Sequence, residues 1–132
     1  MKGLDTNILV RFLVGDHTLQ AKKVYNLFKM AERKKIELFV PLPVVLELIW
    51  VLESAYKIKR NDIIDSINEL LLLPILKFEH RPAIQLFAQA AQNNNFDLSD
   101  LLIAFCAKEE KCETVLTFDK KASKFSLFEL LK

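Results

Sequence analysis

The chain has 132 residues, 52% of them hydrophobic, with only two Gly and four Pro. That is the size and apolar content of one compact globular domain and excludes a disordered chain. Nineteen Lys and Arg against 17 Asp and Glu leave a formal charge of +2, far below the excess of a protein that coats nucleic acid, so any site for a polyanion has to be local.

Residues 1–5 read as a short strand that runs into a helix at 7–14. The segment 17–35 follows as a long amphipathic helix, with Ala21, Val24, Leu27, Phe28 and Ala31 on one face. A short buried strand is expected over 37–42. Pro43 then stands where helices begin, and 44–56 has helical length but is apolar almost all round, which predicts burial on several sides. Asn61 or Asp62 is placed to cap a helix over 61–73 that Pro74 ends. Residues 75–80 alternate like a strand, and Pro82 starts a helix in which Ile84, Phe87, Ala88 and Ala91 recur at helical spacing up to Asn93-Asn94-Asn95. A helix over 97–111, a strand over 113–119, and a tail with a helical turn and a last edge strand complete the chain. Strands separated by helices of this length describe an α/β domain with a mainly parallel sheet and helices on both faces. No repeat, low-complexity segment or linker interrupts it, so one domain over 1–132 is expected.

The longest apolar stretch, 38–52, is fifteen residues and contains Pro41, Pro43 and Glu47, short of the roughly 20 residues that span a bilayer. It reads as core or as protein interface, as does the leucine run 70–73. No export signal opens the chain, which makes a cytoplasmic location the expectation. Cys106 and Cys112 suggest neither a disulfide framework nor a zinc site and read as ordinary buried or half-buried thiols.

In a parallel α/β sheet the carboxyl ends of the strands share one edge, where sites form. Asp5 and Asp119 each end a predicted strand and would meet there. Each also precedes a helix, where an Asp accepts hydrogen bonds from unpaired N–H groups and contributes about 1 kcal/mol as a cap. Asp97 and Asp100 carry the same two readings, as a capping pair or as two carboxylates facing one cation. Glu47 differs, because it sits inside a helix among Leu46, Leu48, Ile49 and Trp50, where no cap is needed. It forms a buried ion pair, reaches water along one polar edge, or faces the other carboxylates. In the last case cations must hold the cluster together, and a set of Asp and Glu oxygens suits Mg²⁺ or Mn²⁺. His17 and His80 read as surface residues.

Four blocks, "LDTNILVRFL", "VPLPVVLELIWVLE", "FDLSDLLIA" and "ETVLTFDKKA", together resemble the PIN-domain family, and within it the VapC-type ribonuclease toxins of toxin–antitoxin pairs. The blocks stand in the family's order and cover essentially the whole chain. The resemblance implies a three-layer α/β domain with a central, mainly parallel sheet flanked by helices. It also implies metal-assisted hydrolysis of phosphodiester bonds in RNA. By position, Asp5, Glu47, Asp100 and Asp119 match the family's catalytic metal ligands, and Asp97 an additional acid of one branch. Thr6, Asn7 and Thr117 match small polar positions that support the carboxylates. Lys120 and Lys121 depart from the pattern by leaving no further acid after Asp119, so one or two Mg²⁺ or Mn²⁺ ions are expected. Arg11, close behind Asp5, is a candidate phosphate contact. The implied partners are an RNA substrate, a VapB-type antitoxin and a second copy of the chain, with no membrane.

Other acidic α/β domains fit less well. A receiver domain needs an Asp at the end of its middle strand, and no Asp occurs between Asp16 and Asp62. A phosphatase of the haloacid-dehalogenase type needs Asp-x-Asp where this chain has Asp5-Thr6-Asn7. A PIN-like domain that binds RNA or protein without cutting is the remaining alternative.

Overall fold

The computed structural model describes all residues, 1–132. The elements follow the order β1 (Lys2–Gly3), α1 (Thr6–Val14), α2 (Thr18–Lys34), β2 (Leu38–Val40), α3 (Leu42–Ser54), α4 (Arg60–Leu71), β3 (Leu76–Phe78), α5 (Arg81–Ala91), α6 (Leu98–Glu109) and β4 (Val115–Thr117). A 3₁₀ turn (Ala122–Lys124) and β5 (Phe128–Leu130) close the chain. Every strand pairing is parallel, as expected for strands joined through helices. Two compact units make up the chain, Met1–Glu79 and His80–Lys132.

The first unit carries a three-stranded ladder in the order β1-β2-β3. Lys2 pairs with Leu38, which pairs in turn with Leu76. Leu38 and Val40 of β2 are buried, as are Leu76 and Phe78 of β3, the apolar character of strands covered by helices. Against them lie Leu9, Leu48, Ile49, Leu52, Ile63, Ile64, Ile67 and Leu70, all fully buried. Helix α1 ends at Gly15, whose φ of 67° is left-handed and whose N–H bonds the Arg11 carbonyl. Glycine reaches that conformation without steric cost, and the chain can turn back into α2.

Helix α3 corrects one expectation and shows a cap that the sequence did not offer. It is not buried all round: Val45, Leu48, Ile49 and Leu52 face the core, whereas Trp50 is 64% exposed and Glu47 and Glu53 are also exposed. Its start is capped from afar. Pro41 has no side-chain acceptor, and the Leu42 N–H donates instead to Glu79 Oε1 at 2.7 Å. Helix α4 begins at Arg60, one or two residues before the expected caps, with Lys59 at its N-cap and no side-chain cap bond. Asp62 falls inside the first turn, where its charge still complements the helix dipole. Of the leucine run, Leu70 and Leu71 are core and Leu72 is 79% exposed.

The second unit pairs β4 with β5 in a separate two-stranded parallel ladder, with Val115 opposite Phe128 and Thr117 opposite Leu130. Helices α5 and α6 bury Ile84, Phe87, Ala88, Leu98, Leu101, Leu102 and Ala104. A smaller cluster of Ala104, Ala122 and Phe128 packs against Val115, Phe125 and Leu127. Phe125 meets Phe96 at 5.2 Å and Phe105 at 6.2 Å, in tilted arrangements of the kind aromatic pairs prefer. Both cysteines are free thiols, but Cys112 is exposed rather than half-buried because α6 ends before it.

Phe87 is fully buried in the second unit. Phe87→Ala is expected to destabilise the protein by about 3–5 kcal/mol, read as a lowered midpoint in urea unfolding.

Candidate carboxylate site

The predicted site residues fall in two groups, one per unit. In the first unit the ladder continues past β1 through the Leu4 N–H, which donates to the Phe39 carbonyl at 2.8 Å. Leu4 is buried and Asp5 is exposed, so the chain leaves the sheet at the carboxylate. Asp5 is the N-cap of α1, and its Oδ1 accepts from the Thr6 N–H at 2.7 Å. The capping reading of Asp5 therefore holds. The cap engages one carboxylate oxygen and leaves Oδ2 without a hydrogen bond.

Thr6 is buried, at 3% exposure, and its Oγ1 has no hydrogen-bond partner. A buried hydroxyl left unpaired costs about 1–3 kcal/mol, which marks this position as one where polarity is retained at the expense of stability. Asn7 is exposed. Glu47 is exposed on the polar edge of α3, so of its three readings the buried ion pair is overturned and the side chain reaches water. Helical geometry sends Leu48, Ile49 and Leu52 inward and leaves position 47 outside.

Arg11 is engaged elsewhere. Its Nε donates to Gln20 Oε1 at 2.6 Å, and its Nη1 to Asp16 Oδ1 at 3.2 Å and to the Tyr56 hydroxyl at 3.3 Å. Tyr56 donates in turn to Asp16 Oδ2 at 2.8 Å. That hydrogen bond, with the Arg11 charge beside it, holds the Asp16 carboxyl below the usual carboxylate range. The network ties the α1–α2 turn to the end of α3 and takes up the charge assigned from sequence to a phosphate. His17 caps α2, its Nδ1 accepting from the Gln20 N–H at 3.2 Å, and His80 lies 3.1 Å from Glu109 Oε2.

In the second unit Asp97 is the N-cap of α6, accepting from the Asp100 N–H at 3.0 Å. Asp119 Oδ1 accepts from the Lys121 N–H at 2.8 Å and the Ala122 N–H at 3.1 Å, capping the 3₁₀ turn. Thr117 Oγ1 accepts from the Asp119 N–H at 3.0 Å. The expected support of a carboxylate by Thr117 is thus a bond to the backbone of Asp119. Asp119 follows a strand of a different ladder from the one that leads to Asp5, so the single shared sheet edge expected from the strand pattern is not formed by hydrogen bonding.

Asp100 stands apart from the other acids. It is half-buried, and its carboxyl is pushed above the usual range, first by burial and then by the charges of Asp97 and Asp119. No cationic side chain offsets these effects. Hard carboxylate oxygens are the donor chemistry of Mg²⁺ and Mn²⁺, and a divalent cation would relieve the repulsion. No three His, Cys, Asp or Glu side chains are gathered into a metal-holding group. Mg²⁺ commonly takes carboxylate oxygens together with waters that fill its remaining positions.

Glu79 and the Asp16–Tyr56 pair were invisible to pattern reading. Glu79 caps a helix that begins 37 residues earlier, and Tyr56 meets Asp16 across 40 residues. Only the two flanking prolines of α3, which leave its start without a local acceptor, hinted at the first.

A model of the PIN domain family matches residues 3–126. The chain is also 29% identical over 124 residues to the VapC ribonuclease of Aquifex aeolicus (strain VF5), a match that covers 94% of this chain and 91% of that protein. No helix is long and apolar enough to cross a membrane.

Asp97 and Asp100, three residues apart, should respond oppositely to substitution in metal-free buffer. Asp97→Ala removes a cap and should cost about 1 kcal/mol. The folded state holds the Asp100 proton more tightly than the unfolded chain does. The stability this group contributes is therefore complete below the unfolded carboxylate range and lost as pH rises through the folded value. Asp100→Asn should raise the urea midpoint at neutral pH in EDTA, with the gain vanishing in acid.

Proposed function

The chain belongs to the PIN-domain family, and from that premise we propose that it is a Mg²⁺- or Mn²⁺-dependent endoribonuclease acting as the toxin of a toxin–antitoxin pair. Its partners on this reading are an RNA substrate, a VapB-type antitoxin and a second copy of itself, in the cytoplasm. Residues 1–132 are read as one PIN domain, a reading supported by a family match that runs across both compact units. The similarity to a VapC ribonuclease over nearly the full length of both chains supports the activity.

The observation that carries the proposal is Asp100, a half-buried carboxylate destabilised by two other acids with no cation beside it. Such an arrangement is unfavourable in the protein alone and favourable once a divalent cation is added. Asp5, Glu47, Asp100 and Asp119 are the proposed ligands, with Asp97 as a further acid. The ion supplies, when bound, positive charge for the phosphodiester oxygens and a lowered pKa for the attacking water.

The remaining roles belong to the chain. Asp97 fixes the first turn of α6 through the Asp100 N–H, which orients Asp100. Thr117 fixes the backbone of Asp119. The turn after Asp119 occupies its Oδ1 and limits rotation of that carboxylate. Thr6 brings a hydroxyl with unused hydrogen-bonding capacity directly after Asp5.

The test is cleavage of a mixed RNA substrate with Mg²⁺, with Mn²⁺ and with EDTA, by the parent protein and by Asp5→Asn and Asp100→Asn. Cleavage is expected to require the metal and to fall by more than about 100-fold in either variant, since losing a group that only hydrogen-bonds a metal ligand already costs about 10–100-fold. Thr117→Val, which removes only the support of Asp119, should fall in that lower range. Cleavage that survives chelation would sink the metal mechanism, and RNA binding without cleavage would leave the non-catalytic PIN reading in its place.

A further inference from the structure

Helices α1 and α2 flank an open groove of about 290 Å³ lined by Asn7, Ile8, Arg11, Gln20, Lys23 and Val24, of which Asn7, Gln20 and Lys23 are exposed. No carboxylate lines it. Its polar groups are a guanidinium, an ammonium and two side-chain amides. Arg11 is already balanced by Asp16 and held by Gln20 and Tyr56. Because the Gln20 carbonyl accepts from Arg11, the amide NH₂ of Gln20 is the part left to donate. Lys23 differs from Arg11, since it forms no ion pair. Its aliphatic stem has Ile8 and Val24 as apolar neighbours in the groove wall, and the ammonium remains an uncompensated point charge.

A groove lined by one unpaired cation, neutral donors and no acid attracts anions over its surroundings. The lining begins at Asn7, in the first turn of the helix that Asp5 caps, so the groove opens within one helical turn of one of the proposed ligands along the chain. The geometry points to this groove as the seat of a backbone phosphate of the RNA strand, with Lys23 as its counter-charge and the Asn7 and Gln20 amides as neutral donors. The inference rests on the ribonuclease reading of Asp5. It names Lys23, rather than Arg11, as the phosphate-binding residue. A carboxylate from a protein partner would suit the same donors, but nothing else about the groove favours one, whereas its position behind Asp5 favours the substrate.

The experiment measures binding of two unrelated fluorescein-labelled RNA single strands by anisotropy across a salt series. Asp100→Asn protein in EDTA is used, and the strands are checked on a gel for intactness afterwards. Lys23→Ala is compared with Lys23→Arg and with Lys29→Ala, which removes the same charge from the same helix outside the groove. Loss of one phosphate contact on a single strand should reduce the slope of log affinity against log salt by about 0.7. It should also weaken both sequences by the same factor. Lys23→Arg should keep the slope, and Lys29→Ala should leave it unchanged. RNA binding that is indifferent to Lys23→Ala, or equally sensitive to Lys29→Ala, overturns the inference while leaving the ribonuclease reading intact. Salt-dependent binding through Lys23 by a parent protein that cuts nothing overturns the ribonuclease reading alone. Absence of any RNA binding overturns the inference, while cleavage by the parent protein with Mg²⁺ decides the ribonuclease reading separately.

Discussion

A helix begins with N–H groups that have no partner inside it, and at four starts in this fold an acidic side chain supplies an acceptor. Asp5 does so for α1, Asp97 for α6 and Asp119 for the 3₁₀ turn, while Glu79 reaches across to serve α3. Four acids are therefore held at element ends by hydrogen bonds that would be costly to lose. A carboxylate has two oxygens and about four lone-pair positions, and a cap uses only part of that capacity. The same residue can close a helix and still present an oxygen to a cation. Capping and ligation, which compete as explanations of an Asp in sequence, are compatible in three dimensions.

Asp100 is the exception that gives the arrangement its direction. It is not a cap; its backbone N–H is the group that Asp97 caps, and its side chain is left half-buried among like charges. For stability alone a neutral group would serve better there, and the charge is the kind of local conflict between stability and chemistry that functional sites carry. The unpaired hydroxyl of Thr6, buried beside Asp5 in the chain, is a second conflict of the same sort in the other unit. Neither has a compensating partner within the protein.

The basic side of the molecule follows a different logic. Arg11, the first cation after Asp5 in the chain, is held by Asp16 and Tyr56, a network that pins the α1–α2 turn to the end of α3. Fixing that turn sets the spacing of α1 and α2 and so the shape of the groove between them. Lys23 contributes charge there because Arg11 does not. A chain with a net charge of only +2 has to place its attraction for a polyanion locally, and an acid-free groove is one way to do it.

Order and type of elements were legible from the sequence because they depend on local periodicity. The alternation of strands and helices, the caps at Asp5 and Asp97, the proline starts of α3 and α5, and the parallel α/β character all follow from residues within a few positions of one another. The four blocks that resemble the PIN family were legible for the same reason, since each is a contiguous stretch. What tertiary structure alone decided is everything that joins distant residues. Glu47 is exposed because the rotation of α3 is set by where Leu48, Ile49 and Leu52 find the core. Glu79 caps α3 because the register of β3 on β2 brings it there. Arg11 is claimed by Tyr56 across 45 residues, and the strands separate into two ladders rather than one. Local spacing specifies which face of an element a residue occupies, but only packing specifies what that face meets.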